Sequence, residues 1–195
     1  MRAKMETPDI ATIDDVLGFW FDGDRQRPEW FRKDAAFDAL VRERFGATID
    51  AALAGDLDAW SASPRGALAR VIVLDQFTRN AFRDTPRAFV GDAQALAAAR
   101  VLVASGEDRA LRPIERQFVY LPFEHAEDLA SQAQALRLFS ALATDAPELG
   151  DLIGWAQRHH DVIARFGRFP HRNAILGRPS TAEEIEFLKQ PGSSF

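Results

Sequence analysis

Residues 147–178 read PELGDLIGWAQRHHDVIARFGRFPHRNAILGR. Leu152, Trp155, His159, Val162 and Phe166 recur at spacings of three and four, the period of one face of an α-helix. Gly167 stands where a helix closes in the left-handed conformation, and Pro170 where the next begins, its missing N–H being no loss in a first turn. The spacing therefore predicts helices over 147–166 and 170–176, with His159 on the buried stripe and His160 in solvent.

Working outward, the same period extends along the chain. Thr12 is an N-cap for a first helix that ends in Phe19, Trp20 and Phe21, where Asp22-Gly23 marks a turn. A second helix is expected over 28–53, with Trp30, Phe31, Phe37, Leu40, Val41 and Phe45 along one side. Further helices are expected over 66–78, 88–105, 113–125, 128–142 and 181–189, the last started by overlapping capping boxes of Ser180 and Thr181 with Glu183 and Glu184. Pro122 removes a backbone donor and should kink or restart its helix. The connections are short, which favours antiparallel neighbours. The reading is an all-α chain: one domain of antiparallel helix pairs over 1–195, ordered over 12–190, with a tail fraying from Pro191.

Composition narrows the function. A hydrophobic fraction of 47% with 27% charged residues describes a folded chain, not a disordered one. A net charge of -5 argues against nucleic-acid or anionic-membrane partners, which need a broad basic face. No stretch is read as long and apolar enough to span a bilayer, so a cytoplasmic location is expected. The absence of cysteine excludes disulfides, thiolate nucleophiles and thiolate metal sites.

Against that acidic background, Arg165, Arg168, Arg172 and Arg178 face only Asp161 within 159–178, a local cationic patch. Arg168, His171, Arg172 and Asn173 lie near an expected helix start, whose free amides favour an anion, and arginine adds a two-pronged donor for phosphate or carboxylate. In GALARVIVLDQFTRN, the stripe of Leu68, Val71 and Ile72 runs on to Asp75 and Arg79, an acid and base one turn apart. Ile114, Phe118 and Leu121 likewise lead to His125. The ligand-binding candidates are Arg79, Asn80, Arg165, Arg168, His171, Arg172 and Asn173. The catalytic candidates are His159, His125 and Asp75. The same residues also read as a structural network, with Asp75 paired to Arg79, and the arginines bonded to Asp75 or to the acids of 124–128.

DQFTRN at 75–80, PFEHAED at 122–128, and the run from His159 through RFGRFPHRN and LGR to STAEE resemble the bacterial family catalogued as domain of unknown function 924. The resemblance covers about 12–190. It implies an all-helical, tetratricopeptide-like fold and no established activity. The matching positions are Asp75, Gln76, Arg79, Asn80, His125, His159, Asp161, Arg165, Arg168, Pro170, His171, Arg172 and Asn173. Thr78 stands where the family more often resembles DQFPRN, and Glu124 and Ala126 where it looks more like PFMHSE, so the serine beside His125 is replaced.

Three functional classes follow. A pocket lined by Arg and His would bind a small phosphate- or carboxylate-bearing ligand. Such a site could also run acid/base hydrolysis or isomerisation, with His159 or His125 oriented by Asp75 or Asp161. A helical-hairpin scaffold could instead clamp a peptide carboxylate in a groove without chemistry. Beside them stands a structural lock that binds nothing. His125, His159 and His171 with Glu124, Glu127 or Asp161 lack any metal-binding spacing, and no metal or cofactor is expected.

Overall fold

The computed structural model describes residues 9–194. Their one β feature is an isolated bridge, Asp22 to Arg25, and the rest is helix and turn. The helices are α1 (Ile13–Trp20), α2 (Ala35–Ala54), α3 (Pro64–Val71), α4 (Thr78–Ala81), α5 (Asp92–Ser105), α6 (Pro113–His125), α7 (Leu129–Asp145), α8 (Leu152–Phe166) and α9 (Ala182–Leu188). A π-helical segment, Ile72–Phe77, fuses α3 to α4. Helix α5 packs on α3 and α6, α6 on α7, and α7 on α8. The short links between these neighbours force the chain to reverse.

The ends of the elements follow local chemistry. Thr12 and Asp15 form a capping box at α1, and Thr181 with Glu184 does the same at α9. Gly167 closes α8 at φ 69°, a conformation that glycine adopts without a Cβ penalty. The 28–53 helix is corrected: Pro28–Trp30 is a 3-10 turn, and α2 starts afresh where Asp34 accepts from the amides of Ala36 and Phe37. That restart resets the period, so Phe31 and Leu40 face solvent rather than the core. Residues 170–176 hold only a 3-10 turn, Pro170–Arg172. Pro122 lies inside α6 without ending it. Past Pro191, Ser193 is buried and donates to the carbonyl of Leu188, so docking extends beyond the expected end of the core.

Most of the core is one cluster built around aromatic side chains. Phe45 and Phe77 lie 4.6 Å apart, Trp20 and Phe118 5.5 Å, and the Trp30 indole donates to the Trp20 carbonyl. Val162, Ile163 and Phe169 form a smaller cluster with Phe166 and Phe187, seating the 159–178 run on α9. The inward face of α8 is Ala156, His159, Val162 and Ile163; Trp155 is corrected to the outside, where the Arg158 guanidinium covers its ring at 4.5 Å.

By length and overall composition alone Pro86–Ser105 could cross a membrane, but Arg87, Asp92 and Arg100 interrupt it, so it is not an unbroken apolar run. Here it packs Ala95, Ala98, Ala99 and Leu102 into the core.

Candidate functional site

The π segment brings Asp75 into the interior. Widening a helical turn leaves backbone carbonyls short of their usual donors, and side chains supply them: Thr78 Oγ1 donates to the Leu74 carbonyl at 2.8 Å, and Arg79 Nη1 to that of Asp75 at 2.7 Å. Gly91 packs so closely that a Cβ there would lie 2.2 Å from the Leu74 carbonyl oxygen. Only glycine permits that approach, and it sets Asp92, the first residue of α5, against Arg79. The two arms of Arg79 donate to the two oxygens of Asp92 at 2.9 and 3.0 Å.

Asp75 is fully buried, accepts hydrogen bonds from two side chains and is ion-paired to a third. Arg79 Nη1 lies 2.9 Å from its Oδ1, His125 Nδ1 lies 2.8 Å from the same oxygen, and the Gln76 amide bonds Oδ2. Burial alone would raise its pKa, but the Arg79 charge and the hydrogen bonds from His125 and Gln76 outweigh that and keep it ionised. His125 therefore donates through Nδ1. Burial, then the Arg79 charge, pushes its pKa down, so it is neutral near pH 7.

The residue beside it, Glu124, behaves oppositely. It is 4% exposed, and its side chain meets His159 Nδ1 at 3.1 Å. Burial and the Asp75 charge push it up to about 8. His159 Nδ1 also lies 2.9 Å from the Trp155 carbonyl, which can only accept, so Nδ1 carries the hydrogen. Burial pushes His159 down to about 3 and His171 to about 4, leaving both neutral. The rings of His125 and His159 lie 6.4 Å apart, and those of His159 and Phe169 5.6 Å.

Arg172 completes the group. It is 7% exposed, with its guanidinium over the rings of Phe169 at 4.5 Å and Phe89 at 4.8 Å. Its Nε is buried without a hydrogen-bond partner among the described residues, and Asp92 Oδ2 is 3.6 Å from its Nη1, beyond hydrogen-bond range. Burial and the Arg79 charge lower its pKa to about 10, so it remains cationic at neutral pH.

The structure thus brings together Asp75, Arg79, His125, His159, His171 and Arg172. The other candidates lie in neighbouring networks. Asn80 donates to Asp38 at 2.7 Å, and Arg165 pairs with Glu183 at 2.8 Å. Arg168 holds Glu184 through two bonds of 2.7 and 2.8 Å, and Asn173 donates to Ser180. Asp161 is exposed and bonded by Gln157. Glu127 grips both arms of Arg178 and accepts from the Phe169 amide at 2.7 Å, anchoring the turn that carries Arg172. Asp92 and Phe89 escaped the sequence reading; an acid directly after a glycine at a helix start was the available signal for Asp92.

The cluster reaches the surface through the half-buried His125 and His171. Two surface depressions, about 480 and 360 Å³, lie elsewhere: one lined by residues of 18–29, the other including Arg100, Phe123 and Ser131. Among the described residues, no group of three or more His, Asp or Glu side chains is arranged to hold a metal ion.

The family described as "Bacterial protein of unknown function (DUF924)" matches residues 16–192. A solved structure of a protein of unknown function, ATU0120 from Agrobacterium tumefaciens, is similar at 39% identity and a TM-score of 0.81, covering 92% of this chain and 97% of that one. No curated protein matches.

Proposed function

Starting from the premise that this chain belongs to the bacterial DUF924 family of unknown function, we propose that it binds a small anion, a carboxylate or phosphate, at Arg172. The observation that carries this reading is a nine-tenths-buried guanidinium that lies against two phenyl rings and whose Nε lacks a partner among the described residues. A buried cation without hydrogen bonds is costly, and an oxyanion lying in the guanidinium plane would supply them. His125, His159 and His171 line the same cluster as neutral donors or acceptors. The burial of His159 and Arg172 favours a small ion over an extended peptide in a groove.

Acid/base chemistry on the bound anion is the second reading. It is favoured by the Asp75–His125 dyad, in which an ionised carboxylate fixes the tautomer of a neutral imidazole. The consecutive packing of α5 on α6, α6 on α7 and α7 on α8 supports the tetratricopeptide-like form of the fold. Net charge favours neither nucleic-acid nor membrane partners, and a cytoplasmic location is proposed because no unbroken apolar run is long enough to span a bilayer.

Thermal melting with acetate, sulfate, phosphate and small carboxylated or phosphorylated metabolites tests the reading. Binding to the native state raises stability by RT ln(1 + [L]/Kd). The expected result is a rise in Tm with one class of anion that disappears in Arg172→Lys, because an ammonium cannot reproduce the two-pronged edge. No rise with any oxyanion, in a wild type that melts cooperatively, refutes it.

A further inference from the structure

Asp75 and Glu124 are two buried carboxyls, the first against His125 and the second against His159, and their surroundings differ in kind. Asp75 is held by a guanidinium, an imidazole N–H and an amide. Glu124 has no arginine or lysine within ion-pair distance among the described residues, and its charged neighbour is Asp75. The π segment sets Asp75 close enough for its charge to act on Glu124, and α8 brings His159 to it. From α7 comes uncharged Gln132, whose amide donates to the Glu124 backbone carbonyl at 2.7 Å. Arg79 is spent on Asp75 and Asp92. A carboxylate in that position would be buried without a counter-ion beside another carboxylate, and neutralisation by a proton is the cheaper state.

We propose that Glu124 is a specificity-determining residue of the anion site, present as a neutral carboxylic acid whose O–H donates to a bound oxyanion, so that the site takes a singly charged carboxylate in preference to a dianion. This rests on the anion-binding reading above. The charge count supports it: with Glu124 neutral, Arg79 and Arg172 balance Asp75 and Asp92, so a second negative charge on the ligand would meet no further cation, and Arg172 is the one cation of the cluster without a hydrogen-bonded counter-charge. His159 sets the position of the acid. Its Nδ1–H, already directed at the Trp155 carbonyl, also lies 3.1 Å from Glu124 Oε1, which leaves the second oxygen to carry the proton. Glu124 pushed up to about 8 agrees with that arrangement.

The test compares wild type, Glu124→Gln and Arg172→Lys in two measurements. Difference infrared spectra at pH 6.5, without ligand, should show the C=O stretch of a protonated carboxyl in the wild type and its loss in Glu124→Gln. Calorimetric titration with acetate and with sulfate, whose charges do not change over pH 6.5–9.5, reads the role. The wild type should prefer acetate and lose affinity for it by on the order of tenfold as pH rises past 8. Glu124→Gln, whose amide still donates, should bind acetate with no such fall. A missing infrared band, or one pH profile shared by wild type and Glu124→Gln, overturns the proposal, as does a preference for sulfate. If the wild type binds neither anion at any pH, the anion site itself falls, and the role of Glu124 falls with it even where the infrared band is present. Cooperative melting of Glu124→Gln and Arg172→Lys confirms that each has folded.

Discussion

Arg172 stops 3.6 Å short of Asp92 because Arg79 already occupies both oxygens of that carboxylate, at 2.9 and 3.0 Å. One acid therefore serves two guanidiniums, the half-buried Arg79 and the buried Arg172, and it satisfies only the first. Removing the second should not harm the fold in proportion to its burial. Arg172→Met is expected to leave stability within ~1 kcal/mol of wild type, since an apolar chain of similar length fits between Phe89 and Phe169, and to abolish any anion-induced rise in Tm. Chemical denaturation with and without anion checks both halves. A loss of several kcal/mol would instead mark Arg172 as a structural lock.

Asp75 has the reverse profile. Asp75→Asn leaves His125 and Arg79 facing a neutral amide in a fully buried position. It is expected to cost ~3–5 kcal/mol, the usual consequence of removing one member of a buried charged network. Urea titration at pH 7 measures it.

Glu124 links stability to alkaline pH. Its folded pKa, raised by burial and the Asp75 charge to about 8, lies above the ordinary 4.5, so the folded protein keeps a proton that the unfolded chain gives up. Rising pH therefore favours unfolding between 4.5 and 8, with the full penalty present above 8. Glu124→Gln should match wild type near pH 4.5 and exceed it above pH 8 by on the order of 2–5 kcal/mol, followed by denaturation at both pH values.

His159 acts at the acid end. Burial lowers its pKa to about 3 from 6.5, so the folded state excludes a proton that the unfolded chain accepts. Its contribution is complete above pH 6.5 and is lost as pH falls toward 3. His159→Asn, which can still donate to the Trp155 carbonyl, should flatten the fall in Tm between pH 6.5 and 4. His171, held down to about 4, and His125, also lowered, account for the slope that remains.

Glu127 ties the 168–178 run to the end of α6 through Arg178 and the Phe169 amide. Glu127→Gln should destabilise the protein by ~2–3 kcal/mol by leaving Arg178 with a weaker acceptor. Because the turn bearing Arg172 then loosens, anion affinity should fall while the far-UV circular dichroism is unchanged. Equal affinity in the variant would separate the clamp from the site.

Local rules were enough for much of this molecule. The three-and-four spacing, the Thr12 and Thr181 caps and the αL glycine at 167 act over a single turn of backbone, so they are legible wherever they occur. They gave all-α architecture, the bounds of α6, the inward side of His159 and the Asp75–Arg79 pair one turn apart. Where a second local signal competed, as at Asp34, which caps a new helix six residues after Pro28, the longer pattern misled.

Tertiary packing decided the site. Asp92 reaches Arg79 because Gly91 lets α5 approach the π segment, a contact between residues that no periodicity connects. Arg165 and Arg168 share a motif with Arg172, yet α9 supplies Glu183 and Glu184 to the first two and none to the third. The protonation of Glu124 likewise depends on which charges surround it once α6, α8 and the π segment meet. Charge and burial are properties of the assembled neighbourhood, and identical residue types acquire opposite roles from what faces them.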